Sequence, residues 1–218
     1  MHQIEHERNP HLPHLTIQIR RLASAAAIAA GVAFAAYTPA AAEGPAPELK
    51  VQLDAPAIVT SVGQSLDAFT VQLAVKRAGV EPAYDNHMTA DDVTHTEING
   101  DHAKTIFLAV GASVKGFGEA GISIDQEIVR TTKILDAAKA AKMKVVMIHL
   151  GGKDRRDDLS DQLIKLVAPR SDVIIVVPGS DDDMMIKKIA DNGAIPYRVT
   201  ASAITLAEDL KGAFGSGT

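Results

Sequence analysis

Lys144-Val-Val-Met-Ile-His149-Leu-Gly-Gly-Lys153 runs into Asp157-Asp-Leu-Ser-Asp-Gln-Leu-Ile-Lys-Leu-Val-Ala168, and Asp172-Val-Ile-Ile-Val-Val-Pro-Gly-Ser-Asp181 runs into Asp182-Asp-Met-Met-Ile-Lys-Lys-Ile-Ala-Asp-Asn-Gly193. Each is an apolar run, a polar or glycine-containing loop, and then a stretch of helical periodicity with lysines on its outer face. Val/Ile-rich runs of four to eight residues without polar alternation suit strands buried on both faces, and the intervening helices supply the crossovers that a parallel sheet requires. The pattern predicts an α/β fold: a doubly wound, mainly parallel five- or six-stranded sheet with helices on both faces, Rossmann- or flavodoxin-like. In such sheets ligands bind beyond the carboxyl ends of the strands.

Working outward, residues 105–110 form another buried strand, and residues 57–61 and 195–199 are read as strands, with a weak one over 83–88. Residues 105–110, 144–150 and 172–177 are placed at the centre of the sheet. A helix is expected over 66–78, with Ser65 as its N-cap and Gly79 following its end. The stretch up to Lys104 is polar and aperiodic. Residues 111–121 read as a long glycine-rich loop before the longest helix, which Ser123 and Gln126 open as a capping box. Ser180, three residues before Asp183, suggests a second box. A last helix covers about 204–213, ahead of a Gly-Ser-Gly-Thr tail at 215–218.

The start of the 218-residue chain reads as an address. Arg20 and Arg21 precede an alanine-rich apolar run over 22–37, Thr38-Pro39 interrupts it, and Ala40-Ala41-Ala42 offers small residues for cleavage. A signal peptide over 1–42 and a tether over 43–54 are expected, followed by a single domain over 55–214. The run is short and weakly apolar for a membrane span, and Leu22-Ala23 fits a twin-arginine signal poorly, which favours ordinary secretion. The protein is therefore expected to be periplasmic or secreted, with no membrane span after cleavage.

Cysteine is absent, which excludes thiol nucleophiles, disulfides and thiolate metal sites. A net charge of −5 with scattered lysines and arginines offers no basic patch for nucleic acid, and the lack of tryptophan gives no indole platform for stacking sugars.

Ser61, Gln64, Ser65, Ser113, Lys115, His149 and Lys153 fall at strand carboxyl ends, as do Ser180 and Asp181. On a parallel sheet they converge on one rim, where helix-start N–H groups and the lysines favour a small polar or anionic ligand. His149 is also a candidate general base, to be paired with a rim serine in a hydrolase or transferase, although no G-x-S-x-G elbow surrounds any of these serines. A protein-interaction module is the third reading.

Gly116 to Gly121 matches G-x-G-x-x-G, but about five residues after the strand end rather than at it, which argues against a dinucleotide. Asp85, His87, Asp91, Asp92, His95, Glu97, Asp101 and His102 concentrate ionisable groups without any ligand spacing, so no metal is expected; the cofactor is left unspecified. Arg155 to Asp158 reads as a charged connection ending in a helix cap.

Thr60-Ser-Val-Gly-Gln-Ser65, Val110-Gly-Ala-Ser-Val-Lys-Gly116, Ile148-His-Leu-Gly-Gly152 and Leu159-Ser-Asp161 resemble a family of secreted bacterial proteins classed only as a domain of unknown function. The resemblance implies export and a single α/β domain, and it carries no activity and no site residues. Mass spectrometry of the exported protein is expected to find Glu43 at its start, within about two residues. Recovery of an intact Met1 chain from the cytoplasm would contradict the address.

Overall fold

Strands β1 (Ala57–Val62) and β5 (Thr105–Val110) are buried at every position, and β6 (Lys144–His149) and β7 (Val173–Val176) are buried throughout apart from Lys144 at the edge. That burial on both faces is what their unbroken apolar sequences require. The computed structural model describes Leu49 and residues 51–214; the expected signal peptide, most of the expected tether and the tail at 215–218 lie outside the described residues.

Six strands form one sheet in the order β2-β1-β5-β6-β7-β8, where β2 is Ala83–Tyr84 and β8 is Tyr197–Val199. Every pairing in it is parallel, with Val62 opposite Val110, Ala109 opposite Ile148, and His149 opposite Val176. From β1 the chain moves outward to β2, then returns past β1 to β5 and continues in the opposite direction. The strand order therefore reverses between β1 and β5, and the crevice at their carboxyl ends is the topological switch point.

Helices cover both faces. On one, Ile134 and Leu135 of α4 (Ile124–Ala140), Leu163 and Ile164 of α5 (Asp158–Val167) and Ile186 of α6 (Met185–Gly193) pack on Ile58, Ile106, Leu108, Met147 and Ile174. On the other, Val71 and Val75 of α1 (Asp67–Arg77) and Leu206 and Leu210 of α7 (Ala203–Ala213) pack on Val59, Phe107, Ile148 and Ile175. Leu49 and Leu53 join this second layer, Leu53 N–H donates to the Ala213 carbonyl, and Asp54 and Thr105 exchange hydrogen bonds. The end of the segment read as a tether is thus part of the core.

Three readings are corrected. The expected glycine-rich loop over 111–121 contains α3 (Val114–Ala120), capped by Ser113 and closed by the left-handed Gly121. The aperiodic stretch before Lys104 holds α2 (Ala90–His95), with a Thr89 capping box, and a two-stranded antiparallel ribbon, β3 (Glu97–Ile98) with β4 (Asp101–His102). Ser180 does not cap α6. The residue before α6 is Met184 in a left-handed conformation, and the Asp181 carboxylate instead accepts from Ile186 N–H and Lys187 N–H, both at 2.7 Å.

Ile174 has no exposed surface and lies between two helical layers. Replacing it with Asp buries an unpaired carboxylate, a cost of several kcal/mol against a total stability of about 5–15 kcal/mol. Ile174→Asp is expected to abolish cooperative urea unfolding followed by circular dichroism, and a stable, native-like variant would contradict the placement of β7.

Candidate functional site

The chain leaves β1 through a tight loop. Gly63 has φ of +104°, and a Cβ there would lie 2.4 Å from the Gly111 carbonyl oxygen, so only glycine lets the two strand ends cross. Gln64 follows in a left-handed conformation, unusual for a side-chain-bearing residue. A buried carboxylate holds both residues: Gly63 N–H donates to Glu127 Oε1 at 2.7 Å and Gln64 Nε2 donates to Oε2 at 3.1 Å. Arg130, one turn along α4, donates to both Glu127 oxygens and to the Ser61 and Met88 carbonyls. Burial pushes the Glu127 carboxyl up, but the Arg130 bonds and charge, with Gly63 N–H and Gln64, outweigh it and hold the group below its ordinary value.

Next along the loop, Ser61 Oγ accepts from Ser65 N–H at 3.0 Å and Ser65 Oγ accepts from Asp67 N–H at 3.3 Å. Leu66, not Ser65, occupies the N-cap position of α1, although Ser65 still satisfies one of its first N–H groups. On the facing strand Ser113 N–H donates to the Gly63 carbonyl at 2.8 Å, and Ser113 Oγ accepts from Gly116 N–H at 3.1 Å. Gly116 is glycine because a Cβ would sit 2.0 Å from the Gln64 carbonyl oxygen. The G-x-G-x-x-G match therefore lies within α3 and its terminus, and serves helix-to-loop packing.

His149 closes the crevice. It is fully buried, and its Nδ1 lies 2.7 Å from the Val110 carbonyl. A carbonyl only accepts, so Nδ1 carries the proton and Nε2 of the neutral ring is a bare acceptor. Nε2 and Asp67 Oδ2 are both buried, and neither makes a hydrogen bond of ordinary geometry among the described residues. A Cβ placed on Gly111 would lie 3.5 Å from Asp67 Oδ2, 3.8 Å from His149 Nδ1 and 3.9 Å from Ser65 Oγ, so three side chains from α1, β6 and the β1–α1 loop gather about one point. Arg155 Nη1 stands 4.0 Å from Asp67 Oδ2 at the more exposed side. Burial holds the His149 imidazole below its ordinary value; Arg156 acts in the same direction, while the Val110 bond, Asp67 and the Gly152 backbone act against it.

Of the seven residues singled out from sequence, Ser61, Gln64, Ser65, Ser113 and His149 meet at or beside the switch point. Two lysines do not join them. Lys115, on α3, has a largely exposed side chain 3.6 Å from Glu119. Lys153 begins a 3-10 turn (Lys153–Arg155) and lines a neighbouring cavity of about 300 Å³ with Arg156, Asp161, Gly179, Asp182 and Asp183. There Arg156, read as part of a charged connection, is mostly buried: it donates to Asp161 at 2.7 Å, to Asp183 at 2.9 Å and to the Ser180 carbonyl, and the Asp161 and Asp183 carboxylates raise its already high pKa against the effect of burial. The helix cap expected in this connection is Asp157, whose carboxylate accepts from Ser160 N–H at the start of α5. Asp67, Arg155, Glu127 and Arg130 were not anticipated. Asp67 carried a signal, two residues after Ser65, but reads equally well as a helix-dipole partner. Among the described residues no three of His, Cys, Asp and Glu are grouped to hold a metal ion.

The family model for a domain of unknown function, DUF6305, matches residues 54–214. The chain belongs to this family. No curated protein matches it. Among solved structures, a chain titled as a mutant of the esterase AlinE4 is similar at 11% identity and a TM-score of 0.30, with 68% of this chain and 75% of that chain covered.

The His149 environment makes stability depend on pH. Because its folded pKa lies below the ordinary 6.5, the unfolded chain binds the proton more readily. Stability is then full above about pH 6.5 and falls as pH drops below that value toward the folded pKa. His149→Asn keeps a donor for the Val110 carbonyl but cannot titrate. Urea midpoints between pH 7.5 and 5.0 should decline less steeply in this variant than in the parent, and equal slopes would show that His149 is not the group responsible.

Proposed function

We propose that this is an exported envelope protein that binds a small polar ligand at the switch point, through hydrogen bonds donated by the ligand to Asp67 and His149. One observation carries the reading: two acceptors, Asp67 Oδ2 and His149 Nε2, are buried beside the Gly111 backbone without a hydrogen-bond partner among the described residues, Asp67 Oδ2 having only the Arg155 guanidinium 4.0 Å away. An unsatisfied buried polar group costs about 1–3 kcal/mol, which a donor-bearing ligand such as a hydroxyl or amine would recover. The same pair disfavours an anion, since a carboxylate and an imidazole lone pair both repel one. Export rests on the signal-like order of Arg20-Arg21, the alanine run and Ala40 to Ala42.

A hydrolase or transferase is the second reading, favoured by the orientation of His149. With Nδ1–H fixed on the Val110 carbonyl, Nε2 is free to take a proton, and Ser65 is the rim serine gathered with it about Gly111. Asp67 would stabilise the imidazolium so formed.

Titration of the protein with neutral polyols and hexoses, and separately with acetate and phosphate, checks the first reading by amide chemical shifts. Polyols or hexoses are expected to move residues 63–67 and 111, and Asp67→Asn with His149→Asn should weaken them by about tenfold or more. Preferential response to the anions would contradict it. Ester hydrolysis lost in both His149→Asn and Ser65→Ala, with folding intact, would move the second reading ahead.

A further inference from the structure

We infer that the ligand of this site is amphipathic, with a hydrogen-bond-donating head in the Asp67–His149 crevice and an aliphatic segment lying toward β7 and β8; this rests on the polar-site reading above. The observation is the distribution of exposed apolar side chains. Among the described residues, Leu66 (77% exposed), Val114 (74%), Ile204 (72%), Met184 and Val199 stand at the starts of α1, α3, α7 and α6 and at the end of β8. In an all-parallel sheet these positions share one edge, that of the candidate site. The three other large exposed apolar residues, Phe69, Leu73 and Val129, lie within α1 and α4, and none of the eight is at the opposite edge. Single exposed apolar residues are ordinary, but their collection round one polar crevice is not.

A concavity for the aliphatic part adjoins the crevice. Val176, Val177, Pro178, Met184, Tyr197 and Val199 line a cavity of about 250 Å³, whose rim also carries Gly179, Asp181, Asp182 and Lys187. Asp181 is already occupied by Ile186 N–H, Lys187 N–H and Tyr197 Oη–H. Val176 is the register partner of His149, so the cavity begins on the strand next to the one that carries the imidazole, the two backbones being about 4.8 Å apart. A ligand whose head reaches His149 can therefore lay a short chain over Pro178. The cavity has small-molecule rather than interface dimensions.

Methyl β-glucoside and octyl β-glucoside, the latter below its micelle-forming concentration, test the inference by titration calorimetry on the mature protein. Octyl glucoside should bind more than about tenfold tighter, since each buried methylene is worth about fourfold in affinity. Met184→Asn/Val199→Thr should bring the two glucosides within about threefold of each other without changing methyl glucoside binding. Asn tolerates the left-handed backbone at 184, and Val199→Thr alone serves if the pair does not fold by circular dichroism. Equal affinities in the parent, an octyl preference that survives these substitutions, or no octyl glucoside binding would overturn the amphipathic ligand. Loss of both glucosides in Asp67→Asn/His149→Asn is the expected control. If instead both bind that variant unchanged, the polar-site reading fails, separately from the chain-length effect.

Discussion

A buried carboxylate on α4 determines how the chain leaves β1. Glu127 and Arg130 are 63 to 69 residues from the loop they hold, and between them they bind Gly63 N–H, the Gln64 amide and the Ser61 carbonyl. Left-handed backbone at Gln64 is costly, and it persists because this charged pair and the Gly111 and Gln64 backbone contacts over-determine it. Removing one partner of such a pair leaves an uncompensated buried charge, typically a loss of about 3–5 kcal/mol. The directions of Ser65 and Asp67 follow from this clamp, and so does the crevice itself.

The rim is organised by contrast. Two arginines, Arg130 and Arg156, each sit in a well-satisfied set of carboxylates and carbonyls on either side of His149. Beside them lie Asp67 Oδ2 and His149 Nε2, buried without a hydrogen-bond partner among the described residues. The contrast between these satisfied sets and the two acceptors beside them is what the proposed ligand site is built on. The aromatic-poor composition fits the proposed ligand contacts, which are hydrogen bonds and aliphatic surface rather than ring stacking.

The architecture was legible because it depends on local pattern. Residues 105–110, 144–149 and 173–176 announce themselves by apolar runs rich in Val and Ile without polar alternation, and the parallel order follows from the helices between them. Helix α3 was hidden because Gly116 and Gly118 lower helix propensity, and Gly116 is there for a contact with Gln64 that no local reading reveals. Ser180 looked like a cap because the spacing was right, but Met184 turned the chain so that Asp181 reached the helix start instead. Of the site, the serines and His149 could be found at strand ends. Glu127 and Arg130 could not: an acid and a base three apart on a polar helix look solvated, and only the tertiary fold buries them.

The meeting of Gly63, Gly111 and Gly116 has a consequence for how such a site can be remodelled. Backbone touches backbone there, with no side-chain layer between the two loops to absorb an insertion or a larger residue. The β1 and β5 exits therefore behave as one rigid jaw. The 178–184 turn opposite carries its contacts on side chains, through Arg156 to Asp183 and the Ser180 carbonyl and through Asp181 to α6, and side-chain contacts can be exchanged one at a time. Changes in what the crevice accepts are thus easiest to make in that turn, and the jaw sets a fixed anvil against which the adjustable wall is fitted.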